Sequence, residues 1–108
     1  MYEILHYLTA DSRDLFNEWL AGLADRQARA RILVRTTRMA TGNFGDARLL
    51  VDAVSELRID YGPRYRVYYA HAGKQIILLL TGGDKRKQQA DIDAAVACWN
   101  DWKRRNRQ

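Results

Sequence analysis

The sequence has one cysteine, one proline and two histidines, and each scarcity removes a class of protein. A lone thiol, Cys98, forms no intramolecular disulfide and builds no four-thiolate zinc site, so a reducing, cytoplasmic setting is expected. His6 and His71 stand apart without an H-E-x-x-H or C-x-x-C companion, and no metal site is expected. With Pro63 alone and the glycines scattered at turns, there is no linker, repeat or low-complexity tract. The longest apolar run, Ile76-Ile77-Leu78-Leu79-Leu80, falls far short of the roughly 20 residues that span a bilayer. The opening MYEILHYLTADSRD has neither a basic n-region nor a long apolar h-region. Neither secretion nor a membrane partner is expected.

What remains is a chain of 108 residues, 47% hydrophobic and 29% charged, which fits one globular domain over 1–108. A domain of this size buries roughly two-thirds of its unfolded surface, enough for a core without staples. Lys and Arg number 18 against 13 Asp and Glu, and the formal charge of +5 favours polyanionic or acidic partners.

Alternation of Tyr2, Ile4, His6 and Leu8 with Glu3, Leu5 and Tyr7 predicts a first strand. Thr9 or Asp11 is placed to cap a helix over about 11–22, in which Leu15, Trp19 and Leu23 form a stripe broadened by Phe16 and Leu20. Asp25 caps a second helix over about 26–41, with Ala28, Ile32 and Met39 inward and Gly42-Asn43 as its stop. Strand signals follow at 48–51, 54–61, 65–71 and 75–81, the last apolar at every position from Ile76 to Leu80 and therefore central. From about 86 to 105, Ile92, Ala95 or Val96, Trp99 and Trp102 recur at helical spacing. The expected fold is α+β in the order βααββββα: an N-terminal strand, a helix hairpin, an antiparallel four-stranded meander and a C-terminal helix.

Period two places Leu57, Ile59 and Tyr61 on one face of their strand and Glu56, Arg58 and Asp60 on the other; the next strand separates Tyr65, Val67 and Tyr69 from Arg66 and Tyr68. If Arg58 and Arg66 share a face, two forked guanidiniums and a phenol line one surface suited to phosphate oxygens. The plainer alternative pairs each arginine with Glu56 or Asp60 across the sheet. Gly82-Gly83-Asp84-Lys85-Arg86-Lys87 joins a strand exit to a cationic helix start where anions bind readily. It has neither the P-loop nor the Rossmann glycine spacing, and a helix capped by Asp84 with solvated lysines accounts for it equally. Arg31, Arg35 and Arg38 make a basic stripe that reads as a solvated face. Cys98 reads as a packing thiol, and Trp99 and Trp102 as core anchors.

The run Ser55-Glu56-Leu57-Arg58-Ile59-Asp60-Tyr61-Gly62-Pro63-Arg64-Tyr65-Arg66-Val67-Tyr68-Tyr69, then Leu78-Leu79-Leu80-Thr81-Gly82-Gly83-Asp84-Lys85 and Gln88-Gln89-Ala90-Asp91-Ile92, resembles the addiction-module killer (HigB/RelE-like) subgroup of RelE/ParE-superfamily toxins. The resemblance implies the toxin of a type II toxin–antitoxin system, with an antitoxin of helix-turn-helix type as partner. RelE-like members act on the ribosome and cleave mRNA through attack of a ribose 2′-OH on the adjacent phosphate, without a cofactor. By position, the resemblance implies catalytic roles for Arg58, Arg66 and Lys85, nucleic-acid contacts from Arg64, Tyr68, Arg86 and Lys87, and Asp84 or Glu56 as general base. Glu56 stands where some nucleases have lysine, and Asp91 where some have tyrosine. ParE-like members instead inhibit DNA gyrase without being enzymes, and that is the alternative.

Overall fold

Glu3–His6 (β1), Leu15–Ala21 (α1), Arg26–Arg38 (α2), Ala47–Leu49 (β2), Val54–Ile59 (β3), Tyr65–Gly73 (β4), Ile76–Gly83 (β5) and Gln88–Arg105 (α3) follow one another in a computed structural model that describes residues 1–107. Short 3-10 turns at Met39–Thr41 and Lys85–Lys87 extend α2 and lead into α3. The fold is α+β, with three α-helices around a mixed five-stranded sheet of order β1-β5-β4-β3-β2.

That sheet differs from a four-stranded meander. β2 to β5 pair antiparallel in succession, and β1 adds to the free edge of β5 in parallel, Leu5 opposite Leu78. Alternation in the sequence reveals that β1 is a strand; its neighbour is set by which edge is left open once the hairpins have formed.

The sheet is covered on both faces. Phe16 and Leu20 of α1 and Ala28 and Ile32 of α2 pack with Met39 on Leu57, Val67, Tyr69, Ile77 and Leu79. On the other face, Ala95, Cys98 and Trp99 of α3 pack on Val54, Tyr68, Ala70, Leu78 and Leu80. Successive residues of β5 feed opposite cores, which explains its unbroken apolar run.

The helix boundaries depart from expectation where short polar side chains satisfy loop backbone instead. Thr9 donates to Asp11 and accepts from the Arg13 N–H at 2.9 Å, which uses both in a loop. Helix α1 therefore starts only at Leu15, capped by Asp14, whose Oδ1 accepts from the Asn17 N–H at 2.9 Å. Asp25 caps α2 as its sequence predicts, accepting from Gln27 and Ala28, and Gly42 closes the following turn at φ 84°.

Gly82 and Gly83, both buried, end β5 where the sheet meets α1 and α3. A Cβ on Gly82 would overlap the Trp19 ring, and one on Gly83 would overlap the Asp91 carboxylate. Gly82→Ala is expected to lower stability by ~1–3 kcal/mol through overpacking, read as a reduced urea midpoint with unchanged slope. A midpoint equal to that of the parent chain would overturn the Trp19 contact.

Candidate functional site: an arginine cleft at the β3–β4 end

Arg58 and Arg66 face each other directly in the β3–β4 register, and Gly83 lies opposite Arg66 on β5. Cross-strand partners project to the same side, so both guanidiniums share the face on which α3 lies. The β3–β4 connection, with Gly62 at φ 58° and Arg64 at φ 63°, turns the chain so that Arg64 joins them. Asp46, Arg58, Ile59, Asp60, Arg64, Tyr65 and Arg66 line the resulting cleft of about 340 Å³.

Each arginine is held differently. Arg58 is clasped by Asp46, Nη2 donating to Oδ1 at 2.7 Å and Nε at 3.1 Å, which holds its pKa above the ordinary guanidinium range. Its carbonyl accepts from Arg35 Nη1 at 2.7 Å, so α2 fixes the strand from beneath. Arg66 is almost wholly buried; its Nη1 donates to the Arg64 carbonyl at 3.1 Å and its Nε lies 3.4 Å from Glu56 Oε2. Neither of those last two atoms makes a directed hydrogen bond among the described residues, so the contact is Coulombic. Glu56 Oε1 accepts from Arg48 Nε at 3.1 Å. The carboxylate pairing of both arginines is thus real, with Asp46 in place of Asp60 as the partner of Arg58.

Several residues expected at this site lie elsewhere. Tyr68 has no exposed surface, its hydroxyl lies without a partner among the described residues, and burial pushes its pKa up to about 12, so it belongs to the core under α3 and not to a nucleic-acid surface. Glu56 is equally inaccessible, sealed beneath Arg66. A carboxylate that touches no solvent and is neutralised by two guanidiniums orients a cation; it does not take a proton from a bound hydroxyl. Asp84 caps the Lys85–Lys87 turn through the Arg86 N–H at 2.9 Å and is gripped by the Arg86 guanidinium, chiefly for which its pKa lies below the ordinary carboxylate value. Lys85 is exposed beside the cleft, its N–H facing the Pro63 carbonyl at 3.5 Å. Arg86 and Lys87 instead line a second hollow with Trp19, Gly83, Asp84 and Asp91.

Residue spacing alone does not single out Asp91. It lies in the first turn of α3, its carboxylate over Gly83, and burial raises its pKa above the ordinary carboxylate range. The usable signal was the missing Cβ: two adjacent glycines at a strand exit leave room for a side chain from another element. The supposed solvated stripe on α2 is also put to use, because Arg35 staples α2 to Arg58 and Phe44, and Arg31 lies over the Tyr61 ring at 4.5 Å. Among the described residues no three His, Cys, Asp or Glu side chains cluster to hold a metal ion, and no helix is long and apolar enough to cross a membrane.

Two outcomes test this electrostatic frame. Glu56→Gln leaves Arg66 buried without its counter-charge and is expected to cost about 3–5 kcal/mol, with part regained in Glu56→Gln/Arg66→Gln; equal stability of the parent and single variant in urea titrations would refute the pair. Asp84, with its folded pKa depressed, contributes stability that is complete above the ordinary value of 3.8 and lost as pH falls through the folded value. Asp84→Asn is therefore expected to flatten the acid limb of a Tm–pH curve, and an unaltered limb would exclude the cap's contribution.

The family model described as Phage derived protein Gp49-like (DUF891) matches residues 18–96, a span that holds the whole arginine cleft, Lys85 and Asp91. A Haemophilus influenzae protein (strain Rd KW20), titled an uncharacterized protein, is 44% identical over 80 residues, which cover 74% of this chain and 81% of the relative.

Proposed function

The chain belongs to the Gp49-like family of phage-derived proteins, a family of the RelE toxin type, and on that premise we propose that it is the toxin of a toxin–antitoxin pair that cleaves mRNA on the ribosome. The observation that carries this reading is the convergence of Arg58, Arg64 and Arg66 on one cleft, with Arg66 held from below by a buried carboxylate. Three forked donors on a rigid sheet end match the oxygens of a backbone phosphate and stabilise the extra charge that builds up as phosphorus becomes five-coordinate.

In this mechanism the substrate supplies its own nucleophile, so no cofactor enters. The ribose 2′-oxygen attacks the adjacent phosphorus, its proton passes to a base, and the bond to the 5′-oxygen breaks, leaving a 2′,3′-cyclic phosphate. That 5′-oxygen takes up a proton as it departs. Asp91, whose carboxylate lies over Gly83, the β5 residue opposite Arg66, is assigned the role of base in preference to Asp84, which Arg86 grips, and Glu56, which Arg66 seals. Lys85 neutralises charge on the departing side, and Arg64 and the exposed Arg86 and Lys87 contact flanking phosphates. Glu56 acts through Arg66 as a positioning residue. The cytoplasm, where ribosomes work, is the site of action, and a cognate antitoxin holds the protein in check.

Induction without the antitoxin is expected to give codon-phased mRNA 5′ ends with plasmid supercoiling unchanged. Altered supercoiling with intact mRNA would overturn the nuclease in favour of gyrase inhibition. Arg66→Ala is expected to abolish cleavage, and Asp91→Asn to lower the single-turnover rate on programmed ribosomes about 100-fold or more with ribosome affinity little changed. A parent-like rate in Asp91→Asn would remove it from proton transfer.

A further inference from the structure

A second concavity lies beside the arginine cleft, and the proposed reaction uses only its rim. β1 pairs with β5 from Ile76 to Leu79 and leaves the last residues of β5 without a strand at that edge. Trp19 of α1 and Asp91 of α3 close on this end from opposite faces of the sheet, Trp19 against Gly82 and Asp91 over Gly83. The hollow between them measures about 450 Å³, within the range of pockets that hold small organic ligands. Trp19 is half-buried and differs from the other two tryptophans. Trp99 and Trp102 stack on each other at 5.5 Å and 12°, whereas the rings nearest Trp19, Phe16 and Tyr65, are inclined to it at 46° and 65°. Among the described residues, therefore, no aromatic ring is stacked parallel on the Trp19 indole. Of the charged groups at the hollow, Glu18 is held by Arg13 at 2.7 Å and Asp84 by Arg86 at 2.8 Å. Asp91 and Lys87 have no ion-pair partner among the described residues.

We propose that this hollow binds an unpaired nucleobase and that Trp19 selects it, purines ahead of pyrimidines. An RNA strand is continuous from phosphate to ribose to base, so the group that holds a phosphate limits where the neighbouring base goes. Arg66, in the cleft, lies opposite Gly83 in the strand register, and Asp91 lies over Gly83. A phosphate held by the arginines has the ribose that attacks it at Asp91, and the base on that ribose extends past Asp91 into the hollow, against Trp19. Tyr65, which lines the cleft, meets Trp19 edge-on at 6.1 Å, so the two concavities share a wall. Lys87 stands exposed at the rim, placed for the phosphate on the 5′ side of the same nucleotide. An indole offers every base a stacking surface, and a two-ring purine covers more of it than a one-ring pyrimidine. A protein side chain would cover the indole equally but has no connection to a phosphate in the adjoining cleft. That the base belongs to the nucleotide whose 2′-oxygen attacks rests on the nuclease reading; that the hollow takes a nucleobase does not.

The test uses the whole chain and two probes. One is a set of ribosomes programmed with mRNAs that carry a purine, a pyrimidine or an abasic riboside 5′ to the cut; the other is an uncleavable single-stranded RNA with 2-aminopurine at that position. The abasic riboside keeps its 2′-hydroxyl, so the parent chain alone reads the contribution of the base. It is expected to cleave the purine substrate about 30-fold faster than the abasic one in single turnover, with the pyrimidine between them. Trp19→Leu is expected to bring the purine and abasic rates within about twofold of each other, and Trp19→Phe, which keeps a ring against Gly82, to retain a preference of about 10-fold. Equal parent rates on all the substrates would overturn the pocket and leave the nuclease reading standing. So would an undiminished purine preference in Trp19→Leu, the mark of a tryptophan that only packs. A parent chain that cleaves nothing but quenches 2-aminopurine, an effect lost in Trp19→Leu and kept in Trp19→Phe, would support the pocket and overturn only the nuclease reading. Absence of both cleavage and quenching would overturn both.

Discussion

Glu56 carries a full carboxylate into a sheet face with no exposed surface, and the arrangement around it follows from neutralising that charge. Removing a carboxylate from water is expensive unless opposite charge meets it, so Arg66 from the next strand and Arg48 from the previous one close on its two oxygens. This locates Arg66. A guanidinium anchored through its Nε side and through the Arg64 carbonyl has little rotamer freedom left, and its remaining N–H groups are presented at the cleft already oriented. The ion pair is thus better understood as pre-organisation than as a source of stability.

The other side of the site depends on absent atoms. Two glycines at the end of β5 let Trp19 press onto one strand position and Asp91 onto the next, tying α1 and α3 to the same point of the sheet. Burial there raises the Asp91 pKa, while the Asp84 carboxyl, a few residues before it, is lowered by its bond to Arg86. Two acids close in sequence are thus shifted in opposite directions by what surrounds them.

The helix α2 shows how one stretch of repeated charge divides into unlike roles. Arg35 reaches through to the Arg58 and Phe44 carbonyls and joins two layers of the structure, and Arg31 caps the Tyr61 ring. Arg38 remains in solvent. Helical spacing alone presents all three as one basic face, because spacing carries direction but not the distance to the neighbouring strand.

Helix and strand positions were legible in the sequence because side-chain period records which faces are apolar: the β5 run announced a strand covered on both sides, and Asp25, Gly42 and the α3 stripe fell where their chemistry required. The residue types of the cleft were legible too, since Arg58 and Arg66 alternate out of their strands in phase. The sequence did not reveal that β1 would join β5, that Tyr68 and Glu56 would be sealed under α3 and Arg66, that Asp46 would hold Arg58, or that Asp91 would lie over Gly83. Each of these is a pairing between residues distant in the chain. Local period and propensity determine how a segment is shaped and which face it turns inward; only the packed layers decide which segment it meets, and with that which charges are buried, paired or left free to act.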